Sequence, residues 1–310
     1  MMKKFFSCIL VLSVIMGCSK DPVITNEMLD GDLIFDPSLY NPQEFLVSYA
    51  IPNPTPEQAL MPVIITSHGY TATTFEWNEF VEFAGSRDVL VSQVLLNGHG
   101  RTYNDFKNST WRDWQRSLTD EYERLVQQGY KNIHFLGSST SGALIQELIA
   151  ANYFENRVAP GQFLLVDPIV IPSNKSLSLI HVFGPMLGFL EEDQTAEEDK
   201  VFYHFRPQET LRELQDLLNK VRKELEKGVV LPQGSSLKVY KSIQDPTADP
   251  VSAVLIYKGL KMADGSPVDV EMVESGLHVF TRLELRDPTN NDRLNQLATF
   301  NDIISRVSNN

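Results

Sequence analysis

Six residues, Gly137-Ser138-Ser139-Thr140-Ser141-Gly142, separate a short apolar run (Ile133, Phe135, Leu136) from a helix-compatible stretch running from Ala143 to Ala150. A strand, a sharp glycine-flanked turn with serine at its tip, and then a helix is the setting of a nucleophile elbow. The turn strains the backbone of its central residue, so the neighbouring side chains must be small. A serine hydroxyl is a weak nucleophile until a histidine takes its proton and an acid holds that histidine in the right tautomer. Two later loops each offer one partner. Asp245 follows the strand-like residues Lys238 to Gln244, and His278 stands in a turn after a strand expected to end at Val273. Ser139, His278 and Asp245 are therefore the candidate nucleophile, base and acid of an acyl transfer.

The remaining candidates read as structural. Ser138 and Ser141 flank the tip of the turn. Asp249 precedes Pro250 as a helix N-cap would, with proline in the first helical position. Asp167, at the end of an earlier strand and before Pro168, is the second choice for the acid. Of the six histidines, His68 and His99 sit in His-Gly turns, His134 lies inside a strand, and His181 and His204 fall in an irregular middle region. His278 alone follows the last strand, and His68 is expected to line the site.

Periodicity supplies the elements that must position these groups. Pro62 to Ser67 is a buried-type strand ending at His68-Gly69-Tyr70. A helix is expected over Phe75 to Gly85 and an apolar run over Val89 to Leu96. Trp111, Trp114, Leu118, Tyr122 and Leu125 share one face of a helix over Thr110 to Gln128, which Thr110 can cap and Gly129 can end. Gln162 to Val166, Leu237 to Tyr240 and Val268 to Val273 read as strands. Helices are expected from Pro250 to about Lys261 and from about Asn291 to Val307. Strands alternating with helices predict an α/β fold with a mostly parallel sheet flanked by helices. Residues 172 to 232 break the alternation with an apolar stretch (177 to 190), an acidic run (191 to 199) and a long helix carrying Leu211, Leu214, Leu218, Val221 and Leu225. They read as a helical cap inserted over the strand ends.

Leu96-Asn97-Gly98-His99-Gly100, Asp113-Trp114, the elbow, Gln244 to Ala253 and Glu274 to Val279 together resemble the carboxylesterase and monoacylglycerol lipase branch of the α/β-hydrolases, the serine aminopeptidase-like group. The resemblance runs from about Val63 to Phe280 and is patchy inside the cap. It implies an α/β-hydrolase fold with Ser139 as nucleophile, Asp245 as acid and His278 as base. It further implies an oxyanion hole built from the N–H groups of Tyr70 and Thr140. Two departures stand out. Ser141 occupies the usual closing glycine of the elbow, for which a modest strain cost is expected, and Leu277 is an extra residue before His278.

The N-terminus opens with Lys3 and Lys4, runs apolar from Phe5 to Met16 and reaches Gly17-Cys18. This reads as a signal peptide over residues 1–17, and Ile15 to Cys18 resembles the bacterial lipobox, which implies acylation of Cys18. Residues 18–43 read as a tether rich in Pro, Asp and Asn, with a strand expected at 45–51, and 44–310 as the hydrolase domain. Cys8 and Cys18 are the two cysteines, so the mature domain keeps none for a disulfide or thiolate metal site. The formal charge of −13 becomes −15 once the two signal lysines are removed. That balance repels phosphate backbones and anionic lipid, which excludes nucleic acid as the expected partner and leaves membrane attachment to the lipid anchor.

The expectation is a serine hydrolase of the esterase or lipase type, lipid-anchored in the bacterial cell envelope, cleaving a partly hydrophobic ester with no metal or other cofactor. An amidase or peptidase on the same triad, and a non-catalytic ligand-binding surface lipoprotein, remain open alternatives.

Overall fold

The computed structural model describes residues 21–25, 27–31 and 53–309. The expected signal peptide, Cys18 and the strand expected at 45–51 lie outside the described residues.

The strands are β1 (Val63–Ser67), β2 (Leu90–Val94), β3 (Ile133–Ser138), β4 (Gln162–Val166), β5 (Phe189–Glu191), β6 (Phe205–Pro207), β7 (Val229–Val230), β8 (Ser236–Ser242), β9 (Leu260–Lys261) and β10 (Asp269–Val273). The helices are α1 (Asn78–Ala84), α2 (Tyr103–Lys107), α3 (Trp111–Gln127), α4 (Ser139–Ala150), α5 (Ile180–Leu187), α6 (Gln208–Lys227), α7 (Val251–Gly259) and α8 (Asn290–Ser308). Six strands form one sheet in the order β10-β8-β4-β3-β1-β2, and every neighbouring pair is parallel.

β1, β3 and β4 are buried at every residue, as a parallel sheet covered on both faces requires. Successive side chains alternate between the two faces. Ile65, Phe135 and Phe163 join one core cluster with Trp114, Tyr122 and Leu148, while Ile64, Leu136 and Leu164 join a second with Phe80, Phe300 and Ile303. Because all six strands run the same way, the chain leaves β1, β3, β4, β8 and β10 on one rim. That rim is where an open α/β sheet places its ligands.

α3 forms as its pattern predicts. Its five apolar-face residues are all buried. Thr110 and Asp113 close a reciprocal capping box, and Gly129 adopts φ 96° just after the helix. The helix expected over 75–85 instead divides into a 3₁₀ turn, Thr74–Trp77, followed by α1. The indole of Trp77 donates to the Ser67 carbonyl at 2.8 Å, which ties the junction to the end of β1. α7 stops at Gly259, short of the expected Lys261, because Leu260 and Lys261 pair with β7.

Residues 172 to 232 hold two 3₁₀ turns, α5, the antiparallel β5–β6 pair, α6 and β7. All five expected apolar-face residues of α6 are buried, and Gly228 ends the helix at φ 90°. A short piece of the expected tether is anchored here. Leu29 is fully buried, and the Asp30 carboxylate accepts from the backbone N–H groups of His204 (2.7 Å) and Phe205 (3.2 Å). The polar composition of this segment gives no sign of that docking, which one leucine and one aspartate accomplish.

Candidate active site

Ser139 begins α4 directly after β3 and has φ 48°, a left-handed conformation that side chains other than glycine seldom adopt. Close packing on both sides holds it there. A Cβ on Gly137 would stand 2.6 Å from the Ile145 side chain, and one on Gly142 would stand 2.7 Å from Pro168. Ser141 meets no such obstacle. Its hydroxyl donates to the His68 carbonyl at 2.5 Å, so the departure from glycine adds a bond between the elbow helix and the loop after β1.

Ser139 Oγ lies 2.8 Å from Nε2 of His278, and Nδ1 of His278 lies 2.8 Å from Oδ2 of Asp245. A carboxylate can only accept, so Nδ1 carries the ring proton and Nε2 accepts from the serine hydroxyl. The extra Leu277 does not disturb this arrangement. Its N–H bonds the Ser275 hydroxyl at 3.1 Å, closing a short turn before the histidine.

Asp245 is almost fully buried, and its other oxygen accepts from the backbone N–H groups of Thr247 (2.8 Å) and Ala248 (2.9 Å). Burial works against its ionisation. The hydrogen bond and charge of His278, together with the charge of Lys241, outweigh burial and hold its pKa at about 2.

Lys241, within the strand-like run that precedes Asp245, is a further member of the site. Its side chain is wholly buried, with Nζ bonded to Asp245 Oδ2 and 3.0 Å from Asp167 Oδ1. Asp167, the second choice for the acid, bonds Lys241 and the Ser242 N–H (2.7 Å), the Ser242 hydroxyl (3.1 Å) and the Phe280 N–H (3.2 Å). It braces the loop that carries His278, while Asp245 is the carboxylate bonded to the imidazole. Ligand atoms of Asp167, Asp245 and His278 all lie within 4.8 Å of one another, and Lys241 is the cation set between the two carboxylates. A lysine flanked by polar residues in a strand pattern is the only signal that could have exposed it.

The loop after β1 packs directly on the elbow. A Cβ at Gly69 would stand 3.1 Å from Ser139 Cβ. Among the described residues the Tyr70 N–H has no hydrogen-bond acceptor, and Thr140, second residue of α4, has no intrahelical partner for its N–H. Glu76 fixes the loop by accepting from the Gly69 N–H at 2.8 Å and from the Ser138 hydroxyl.

His68 does not line the cleft, contrary to expectation. It is fully buried behind the loop, where Nε2 accepts from the Leu96 N–H at 3.0 Å and Nδ1 donates to the Gly69 carbonyl at 2.9 Å. Burial pushes its pKa down to about 4, so it is a neutral strut between two strand ends.

A cleft of about 760 Å³ opens over Ser139, Thr140 and His278. Leu179, Phe183, Leu187 and Leu190 from the 177 to 190 stretch line it while remaining 39–54% exposed, so this segment forms a cleft wall rather than a closed core.

No protein-family profile matches the chain. It is similar to a carboxylesterase of Bacillus subtilis (strain 168), 22% identical over 229 residues that cover 74% of this chain and 89% of the relative. It is also similar to a thermostable monoacylglycerol lipase of Bacillus sp. (strain H-257), 21% identical over 228 residues, 70% of this chain and 83% of the relative. A solved structure of a metagenome-derived lipolytic enzyme superposes with a TM-score of 0.63 at 18% identity, covering 81% of this chain and 96% of the other. The chain has the α/β-hydrolase fold.

Two outcomes follow from the buried charges. Lys241→Met leaves two buried carboxylates without their cation and costs about 3–5 kcal/mol, measured by urea denaturation. The depressed Asp245 contributes stability that is present above the ordinary carboxylate value near 4 and is lost as pH falls toward about 2. Urea midpoints therefore drop more steeply between pH 4 and pH 2 in wild type than in Asp245→Asn.

Proposed function

We propose that this protein is a serine hydrolase that cleaves carboxylic esters through an acyl-enzyme. The reading is carried by one observation, the Ser139–His278–Asp245 chain with both of its links at 2.8 Å. His278 Nε2 takes the serine proton as Oγ attacks the ester carbonyl carbon. The imidazolium that forms is stabilised by Asp245, whose carboxylate stays ionised. The N–H groups of Tyr70 and Thr140 receive the carbonyl oxygen as it becomes negative. His278 then returns its proton to the leaving alcohol, and water repeats the sequence to release the acid. The carboxylesterase and monoacylglycerol lipase names of the two Bacillus relatives support an ester as substrate. The apolar cleft wall supports a partly hydrophobic one.

The protein is further a lipoprotein of the bacterial cell envelope, held by acyl chains on Cys18. The Lys3-Lys4 start, the apolar run and Gly17-Cys18 support this reading. Among the described residues no helix is long and apolar enough to cross a membrane.

A fluorophosphonate probe labels the wild type and fails to label Ser139→Ala, and the same substitution lowers kcat on nitrophenyl esters by at least about 10⁴-fold. A folded wild type that takes no label would overturn the assignment. Cys18→Ala moves the protein from the membrane pellet to the soluble fraction after ultracentrifugation, and equal pelleting of both forms would refute the anchor.

A further inference from the structure

Three arginines among the described residues line the cleft, and the ester chemistry has no use for them. Arg206 is paired with Glu192 at 2.8 Å, whereas the other two are not paired. Arg282 and Arg286 follow His278 by four and eight residues and line the same cleft as Ser139. Arg282 is only 7% exposed. Its Nη1 donates to the Glu284 carbonyl at 3.1 Å, but its Nε is buried with no hydrogen-bond partner. The group packs 4.7 Å from the centroid of the Phe202 ring. Arg286 spends Nη1 on the carbonyls of Val279 (3.1 Å) and Arg282 (2.9 Å). Among the described residues neither guanidinium forms an ion pair with a carboxylate, although both are mostly withdrawn from water.

Both arginines feel Glu76 and Glu198, Arg282 also feels Glu79 and Glu284, and Arg286 also feels Asp167, but none of these acids pairs with either guanidinium. Glu79 accepts from the Leu283 and Glu284 N–H groups (2.6 and 3.0 Å) and Asp167 is bonded to Lys241. Glu76 accepts from the Gly69 N–H and the Ser138 hydroxyl, and Glu198 accepts from the Thr195 N–H and hydroxyl, each at 3.1 Å. Burial and the neighbouring Arg282 push the pKa of Arg286 down to about 10. Two like charges held together in a cleft with donors unspent are costly. The cost is relieved when a ligand brings the missing charge.

We propose that Arg282 and Arg286 form an anion subsite and that the ester cleaved at Ser139 carries a carboxylate. The inference rests on the ester-hydrolase reading and narrows it to esters with one anionic end and one apolar part. A carboxylate suits the planar guanidinium fork, which can donate two parallel hydrogen bonds to it. A phosphate dianion fits less well, because the fields of Glu76 and Glu198 reach the same two arginines and oppose a second negative charge.

The test compares two nitrophenyl esters with a six-carbon acyl group, the neutral hexanoate and the mono-ester of adipate, with a phosphonate of equal length as a third arm. In wild type kcat/KM for the adipate ester exceeds that for hexanoate by about tenfold or more, the worth of one charge-assisted hydrogen bond. The adipate-to-hexanoate ratio falls by about tenfold in Arg282→Gln and in Arg286→Gln, and Arg282→Lys falls between. Taking the ratio within each variant cancels any general loss of activity, and the wild-type ratio alone decides if a variant does not fold. Turnover of hexanoate with equal or poorer turnover of adipate overturns the anion subsite and leaves the hydrolase intact. An unchanged ratio in both glutamine variants overturns it too, and a preference for the phosphonate refutes the choice of carboxylate. Failure to cleave any of the three esters instead counts against hydrolysis at Ser139.

Discussion

A single buried cation holds the site together. Lys241 Nζ sits between the carboxylates of Asp167 and Asp245, and all three side chains are closed to water. Lys241 offsets the negative charge gathered there, and Asp245 must be ionised to fix the tautomer of His278. The same network determines where His278 stands. Asp167 bonds the Phe280 N–H, two residues beyond the histidine, as well as the end of β8. The reach from His278 to Ser139 is thus set by charges anchored at the ends of β4 and β8.

A second buried polar network does the same for the other half of the site. Ser138 and Gly69 share the Glu76 carboxylate, Ser141 bonds the His68 carbonyl, and His68 bonds Leu96 and its own neighbour Gly69. Together these bonds tie the elbow and the β2 end to the loop bearing Tyr70. Such a network is strong when every member is satisfied, because the low dielectric around it strengthens each bond. Its functional result is preorganisation. The loop bearing Tyr70 and the elbow bearing Thr140 are held in a fixed relation, as the proposed oxyanion hole requires. The strained φ of Ser139 is tolerated because packing at Gly137 and Gly142 leaves the chain no roomier alternative.

The cleft combines unlike surfaces. Residues 177 to 190 contribute exposed leucines and Phe183, whereas the loop after His278 contributes Arg282 and Arg286. In a chain of formal charge −13, one buried and one half-buried arginine without carboxylate partners run against the overall balance. General electrostatics of solubility does not account for them, but local recognition of an anion does.

Much of this was legible in the sequence, for reasons of local physics. Alternating strand and helix patterns gave the α/β layers. The Trp111-to-Leu125 face gave α3 and the leucines of 211–225 gave α6, because burial of one helical face leaves a 3.6-residue mark. Ser139, Asp245 and His278 could be named because each follows a strand end, and strand ends are visible as breaks in an apolar run. What the chain alone left hidden are pairings between distant segments. Lys241 reads as one more exposed strand residue, and Leu29 with Asp30 reads as spacer. His68 reads as a cleft residue, yet it is turned behind the loop. Charge, polarity and spacing are written along the chain. Whether a lysine faces water or two carboxylates is decided only when strands 74 residues apart in sequence are laid side by side. Burial and partner choice are properties of that assembled environment, and no single stretch of sequence contains them.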